Sequence, residues 1–155
     1  MNKFMRLADL EAQMNLQEKA GGPFGSVIVN KAGEVVGKGH NHVLANNDPT
    51  AHGEVMAIRD AGANLGTFDL SGCTLYTNAY PCPMCYGAII WANLDAIYYG
   101  NDLADAAMIG FRDQPIYDFF HGKATDMKVP TLSQLDHAET IKTFEAYLAG
   151  QHDHY

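Results

Sequence analysis

Apolar residues recur at spacings of three and four over Met5, Ala8, Ala12, Leu16 and Ala20. That stripe predicts an amphipathic helix, closed by Gly21-Gly22-Pro23. The period then shortens. Ser26-Val27-Ile28-Val29 and Glu34-Val35-Val36-Gly37 read as two strands around the turn Asn30-Lys31-Ala32-Gly33. His40 to Asp48 is polar and Asn-rich, so a loop is expected. Pro49 suits the first turn of a helix with Asp48 as its cap, continued by Ala51 to Ala61. Cys73 to Thr77 predicts an interior strand, and Met84 to Asn93 a helix behind Pro81 and Pro83. Ala96 to Tyr99 predicts another strand, closed by Gly100. Asn101 to Lys128 is Asp- and Ala-rich, which suggests one short helix and then loop. Ile141, Phe144 and Leu148 form a last helical stripe that stops at Gly150. A hairpin followed by αβαβα predicts an α/β fold with helices covering a mixed sheet. With no repeat or linker, residues 1–155 read as one domain.

Composition narrows the function. Of 155 residues, 47% are apolar and 18% charged, enough for a core and too apolar for intrinsic disorder. No apolar run reaches the length of a membrane span, and Met1-Asn2-Lys3-Phe4 leads into polar residues, so neither membrane nor secretion is expected. Ten basic against 18 acidic residues leave a formal charge of −8. A chain so acidic, without a basic patch, is poorly equipped to hold the phosphates of a nucleic acid. Three cysteines cannot all pair within the chain, and Cys82 and Cys85 lie three apart. In a reducing compartment that spacing favours metal or redox chemistry over a structural disulfide. A cytoplasmic domain with a metal is the expectation.

The chemistry concentrates at His52-Gly53-Glu54 and Pro81-Cys82-Pro83-Met84-Cys85. One imidazole and two thiolates make a three-ligand zinc site with the fourth tetrahedral position left to water. Cysteines three apart on the first turn of a helix point the same way, and the helix N-terminus favours their thiolate forms. Glu54 falls two residues beyond His52, near enough to face that water without ligating. Zinc lowers the pKa of its water to about 7, and a neighbouring carboxylate can then carry the proton to a substrate nitrogen. H-x-E followed by P-C-x-x-C, in this order, is the pattern of the zinc deaminases. A structural zinc would require a fourth protein ligand, whereas Cys73, the spare thiol, reads as a small buried residue.

The chain resembles the cytidine deaminase superfamily, and within it the bacterial guanine deaminases. The resemblance runs through Gly21-Gly22-Pro23-Phe24-Gly25, Asn47-Asp48-Pro49-Thr50-Ala51-His52, Pro81-Cys82-Pro83-Met84-Cys85 and Gly87-Ala88-Ile89-Ile90-Trp91-Ala92. Asp105-Ala106-Ala107 and Gly110-Phe111-Arg112-Asp113 carry the likeness to guanine deaminases in particular. It implies a three-layer α/β/α sandwich with zinc on His52, Cys82 and Cys85 and Glu54 as proton shuttle. It also implies Asn41 and Asp113 as base-recognising groups, Phe24 against the base, and Trp91 in the pocket wall, contributed within the chain or across a dimer. Members of this subfamily are homodimers that exchange a C-terminal segment whose last residues close the partner's site, a feature that Tyr155 matches.

Two positions depart from the family pattern. Tyr80 stands where Glu usually precedes the zinc loop, and Gly53 replaces a small Ala, its backbone N–H still able to donate to the base. The function expected is hydrolytic deamination of a free nucleobase, guanine to xanthine first. The alternatives are another small amino-heterocycle or nucleoside, then a tRNA adenosine deaminase, then a zinc-binding protein without turnover. A small-molecule partner and a homodimer are expected, and a nucleic-acid partner is not.

Overall fold

The computed structural model describes residues 1–151. Its sheet is built around β1 (Gly25–Val29), which is buried over its whole length. Such a strand must be apolar on both faces, and Val27-Ile28-Val29 meets that demand. It pairs antiparallel with β2 (Val35–His40) on one side and antiparallel with β3 (Thr74–Ala79) on the other. The sheet ends in β4 (Ala96–Asn101), parallel to β3, giving the order β2-β1-β3-β4. A parallel pair needs a crossover, and α4 (Pro83–Trp91) supplies it.

Helix α1 (Lys3–Glu18) covers one face, where Ala8 packs with Val27 and Val29 beneath Phe4, Met5 and Tyr76. Helices α3 (Gly53–Leu65) and α4 cover the other. There Ala57, Ala61 and Ile89 close over Ile28, Leu75 and Cys73. Truncating a fully buried side chain such as Leu75 would cost about 2–5 kcal/mol. The mixed sheet between two helical layers agrees with the sequence reading, and Cys73 is the buried core residue expected.

Several local expectations are corrected. The α1 stripe turns at its end, because Asn15 is buried while Leu16 is 69% exposed. The helix stops at Lys19, which takes the left-handed conformation before the glycines are reached. Strand β2 runs on to His40, and a short helix α2 (Val43–Asn46) interrupts the expected loop. Helix α3 starts at Gly53 with His52 as its cap, not at Pro49 with Asp48. Asp48 does behave as a cap, but of a turn: its Oδ1 accepts from the Thr50 amide (2.8 Å) and hydroxyl (2.7 Å). Beyond β4 there are two short helices instead of one, α5 (Leu103–Met108) and α6 (Gln114–Phe120), before α7 (His137–Ala149). Helix α7 buries none of its residues. Among the described residues no helix is long and apolar enough to cross a membrane.

Candidate active site

Two helix starts meet at one point. His52 is the extended residue ahead of α3, and Cys82 the extended residue ahead of α4. The β conformation that an N-cap requires aims both side chains outward from their helix ends, toward each other. His52 Nδ1 lies 3.5 Å from Cys82 Sγ and 3.5 Å from Cys85 Sγ. All three ligand atoms lie within 4.8 Å of one another. Zinc–nitrogen and zinc–sulfur bonds of about 2.0 and 2.3 Å, opened to a tetrahedral angle, separate N from S by about 3.5 Å. The donor set and its spacing fit zinc.

The thiols share their proton unequally. Cys82 Sγ accepts from the Cys85 thiol and from the Cys85 backbone N–H (3.5 Å), and with His52 alongside it is held down to about 4 as a thiolate. Its partner Cys85 is pushed far up by that arrangement and by burial. A dication resolves the conflict, since it permits both sulfurs to be anionic. The Cys82 thiolate also raises His52 above its ordinary value.

Glu54, 5% exposed, lies on the first turn of α3 with Oε2 3.4 Å from Cys85 Sγ. Burial pushes its carboxyl up to about 7. A carboxyl with that pKa is suited to carrying a proton in either direction near neutrality.

A cavity of about 580 Å³ opens over these groups. It is lined by His52, Glu54 and Cys82, and also by Phe24, Asn41 and Asp113. Five side chains singled out from the sequence for metal, proton or base thus meet one space with Cys82, and Cys85 is buried beneath. Asn41 presents a defined polarity. Its Oδ1 accepts from the Val43 backbone N–H (3.1 Å), which can only donate, so Nδ2 is the donor left for a ligand. Asp113 presents the opposite polarity. It occupies the N-cap position of α6 yet makes no side-chain capping bond, and its carboxyl is half-buried beside the cavity. Burial, reinforced by the Cys82 thiolate, raises its pKa.

Phe24 meets Phe111 edge to face, with ring centroids 4.8 Å apart. Gly53 is buried, and a Cβ there would come 3.0 Å from the Phe24 carbonyl oxygen. The missing Cβ lets the start of α3 approach the Phe24 backbone closely. Tyr80 lines the cavity with its ring 4.9 Å from Tyr99 and 6.0 Å from Tyr117, both edge-on. Tyr80 thus gives this side of the cavity an aromatic wall.

Trp91 is placed elsewhere. It is 68% exposed and borders a separate apolar groove with Ile58, Phe68 and Ala88, not the cavity. Tyr155 lies outside the described residues. Sequence reasoning missed three supports. Asn78 ties the Pro23 carbonyl (3.0 Å) and the Gly25 amide (3.0 Å) to β3. The Tyr117 hydroxyl donates to the Pro81 carbonyl (2.6 Å) and steadies the cysteine loop. Phe111 completes the wall beside Phe24. An Asn directly after the β-type run Cys73 to Thr77 is the available signal for Asn78, whereas nothing local marks Tyr117.

The profile of the cytidine and deoxycytidylate deaminase zinc-binding region matches residues 1–101. The chain belongs to this deaminase family. It is 42% identical over 144 residues to a guanine deaminase of Bacillus subtilis, covering 93% of this chain and 91% of that protein. The X-ray structure of guanine deaminase from Bacillus subtilis superposes with a TM-score of 0.89 at 39% identity, over 100% of this chain and 99% of that one. A tRNA-specific adenosine deaminase of Aquifex aeolicus is 40% identical over 96 residues, 62% of each chain. This deaminase therefore shares its first two-thirds with the family at large, and its likeness to guanine deaminase continues to the C-terminal end.

Proposed function

We propose that this deaminase converts guanine and water into xanthine and ammonia at a zinc site formed by His52, Cys82 and Cys85. The observation that carries the reading is the pairing of opposite polarities in one cavity: the Asn41 amide donor and the Asp113 carboxylate lie on the same space as His52 and Glu54. Guanine offers adjacent acceptor and donor edges, which such a pair matches. A similarity to guanine deaminase over 93% of the chain, against 62% for the tRNA enzyme, supports the same choice.

Zinc, when bound, supplies the Lewis acidity that makes a water nucleophilic near neutrality. Glu54 takes a proton from the attacking water and delivers it to the ring nitrogen beside C2. It then takes the remaining proton from the hydroxyl added at C2 and gives it to the exocyclic amine, so that the C2–N bond breaks, ammonia departs and C2 is left as a carbonyl. Asn41 Nδ2 donates to the acceptor edge, the Asp113 carboxylate accepts from the donor edge, and Phe24 packs against the ring. The Gly53 amide adds a donor at the start of α3.

The working unit is a cytoplasmic homodimer of single-domain chains that exchange their C-terminal segments. Leu132, Leu135, Phe144 and Leu148 are 75–98% exposed, and Ile90 and Trp91 of the body are 65% and 68% exposed, so apolar surface is left open on both parts. In the dimer Trp91 joins the interface.

The test is metal analysis followed by a panel: guanine, guanosine, cytosine, a triazine, a pterin, and a tRNA anticodon stem-loop. About one zinc per chain and ammonia release from guanine, with xanthine as product, is the expected result. Release confined to another member of the panel would replace guanine, and zinc without any turnover would make the chain a binding protein.

A further inference from the structure

Helix α1 buries three residues, Ala8, Ala12 and Asn15, and Asn15 alone is polar. It occupies the place that the apolar stripe would give to Leu16. Burying a carboxamide is costly unless its hydrogen bonds are remade within the protein. Asn15 remakes three. Its Oδ1 accepts from the Ala20 backbone N–H at 3.1 Å, a local bond that finishes the helix. Its Nδ2 donates to the Gly22 carbonyl at 2.7 Å and to the Asn41 carbonyl at 2.8 Å.

The two Nδ2 bonds reach out of the helix to backbone groups that border the cavity. At Asn41 they complete a clamp. The Asn41 N–H donates to the Phe24 carbonyl at 2.9 Å, its carbonyl is held by Asn15, and its Oδ1 is held by the Val43 N–H. Gly21 leaves room for that carboxamide, since a Cβ there would collide with Asn41 Oδ1. Three of the four polar groups of Asn41 are thereby fixed, and the remaining one, Nδ2, is left for a ligand.

We propose that Asn15 is a positioning residue for nucleobase recognition. Its amide donors fix the Gly22 and Asn41 backbones so that Asn41 Nδ2 is aimed at the acceptor edge of the base. This rests on the base-recognising role given to Asn41 above. Asn15 touches no substrate, so it works only through the groups it holds.

A double-mutant cycle between Asn15 and Asn41 tests the idea, on guanine or on whichever base of the panel the wild-type protein deaminates. Absence of guanine turnover in the wild type would sink the substrate assignment, separately from the cycle. Asn15→Ala is expected to retain zinc and to lower kcat/KM by about ten- to a hundredfold, the scale of a small misplacement of a contacting group. In an Asn41→Ala background the same change should cost no more than about twofold further, since the group being aimed is gone. Asn15→Asp separates positioning from helix capping. It keeps an acceptor for the Ala20 N–H but has no donor for Gly22 or Asn41, so its kinetics should fall with those of Asn15→Ala. Wild-type kcat/KM in Asn15→Asp, or a full penalty persisting without the Asn41 carboxamide, would overturn the proposal. So would failure of both variants to fold with zinc, which would assign Asn15 to the fold alone.

Discussion

Between Gly25 and Asn101 the strands and the helices above them bury Val27, Ile28, Leu75, Cys85 and Ile89 almost completely. Between Asp102 and Gln151, Ala106 is the one buried residue. The contrast follows the chemistry. His52, Glu54, Cys82 and Cys85 all belong to the buried body, on helix starts packed against the sheet. The later segment brings Asp113 and Phe111 to the cavity and then runs into α7, which buries none of its residues. The candidate metal ligands and the Glu54 carboxyl are thus set in the well-buried body, while part of the cavity wall comes from a segment that buries little of its own surface. The difference teaches where rigidity is needed: three ligand atoms must be fixed within tenths of an ångström, whereas a cover need only exclude water.

Changes in the body should have the largest effects. Cys85→Ala is expected to abolish zinc binding and turnover and to lower the melting temperature, because the binding free energy of the metal contributes to folding of the site. Metal analysis beside thermal unfolding reads both. A variant with full zinc and wild-type stability would break the idea that metal and core are one unit. Glu54→Gln should keep the zinc and the melting temperature but lose about 10²–10⁴-fold in kcat, because the residue carries a proton and holds no metal. Loss of zinc in that variant would make Glu54 a ligand.

Removal of residues 136–155 sharpens the comparison from the other side. Zinc content should be retained and turnover should fall sharply, with a smaller species in sedimentation if α7 holds the dimer together. A truncated protein that loses its metal would show the two regions to be one cooperative unit. Asp113→Ala should lower kcat/KM with little change in melting temperature, since its carboxyl caps nothing; a stability loss with unchanged kinetics would return it to the loop. The smallest effect is expected at Ser26, whose buried hydroxyl has no hydrogen-bond partner among the described residues. Ser26→Ala should be neutral or stabilising by up to about 1 kcal/mol in denaturant unfolding, because it removes a desolvated polar group without orphaning another.

The body is also the legible part of the sequence. β1, β3, α4 and β4 emerge from short apolar runs bounded by Gly and Pro, and the candidate zinc ligands from residue type, order and spacing. Where local chemistry imitates another element, reading fails. Asp48 satisfies the Thr50 amide as a helix cap would, so the pattern places the start of α3 at Pro49 instead of Gly53. Asn15 hides because a polar residue beside an apolar stripe looks like its solvent edge, and only the fold brings the Asn41 carbonyl, 26 residues on, within reach. In the later segment, short helices such as α5 carry too few turns to show a period. The stripe of Phe144 and Leu148 does reveal α7, but it stays exposed and so gives no sign of what it packs against.

Cys82 serves two structures at once: its sulfur faces the metal position and also accepts from the Cys85 amide as the cap of α4. A serine would be the better cap by ordinary helix preference. Yet it would take away the soft, readily ionised ligand. Selection for a sturdier fold and selection for a working catalyst therefore pull this position toward different residues. Stability-guided redesign of this chain, if blind to the metal, would favour Cys82→Ser and yield a well-formed helix on an inert protein.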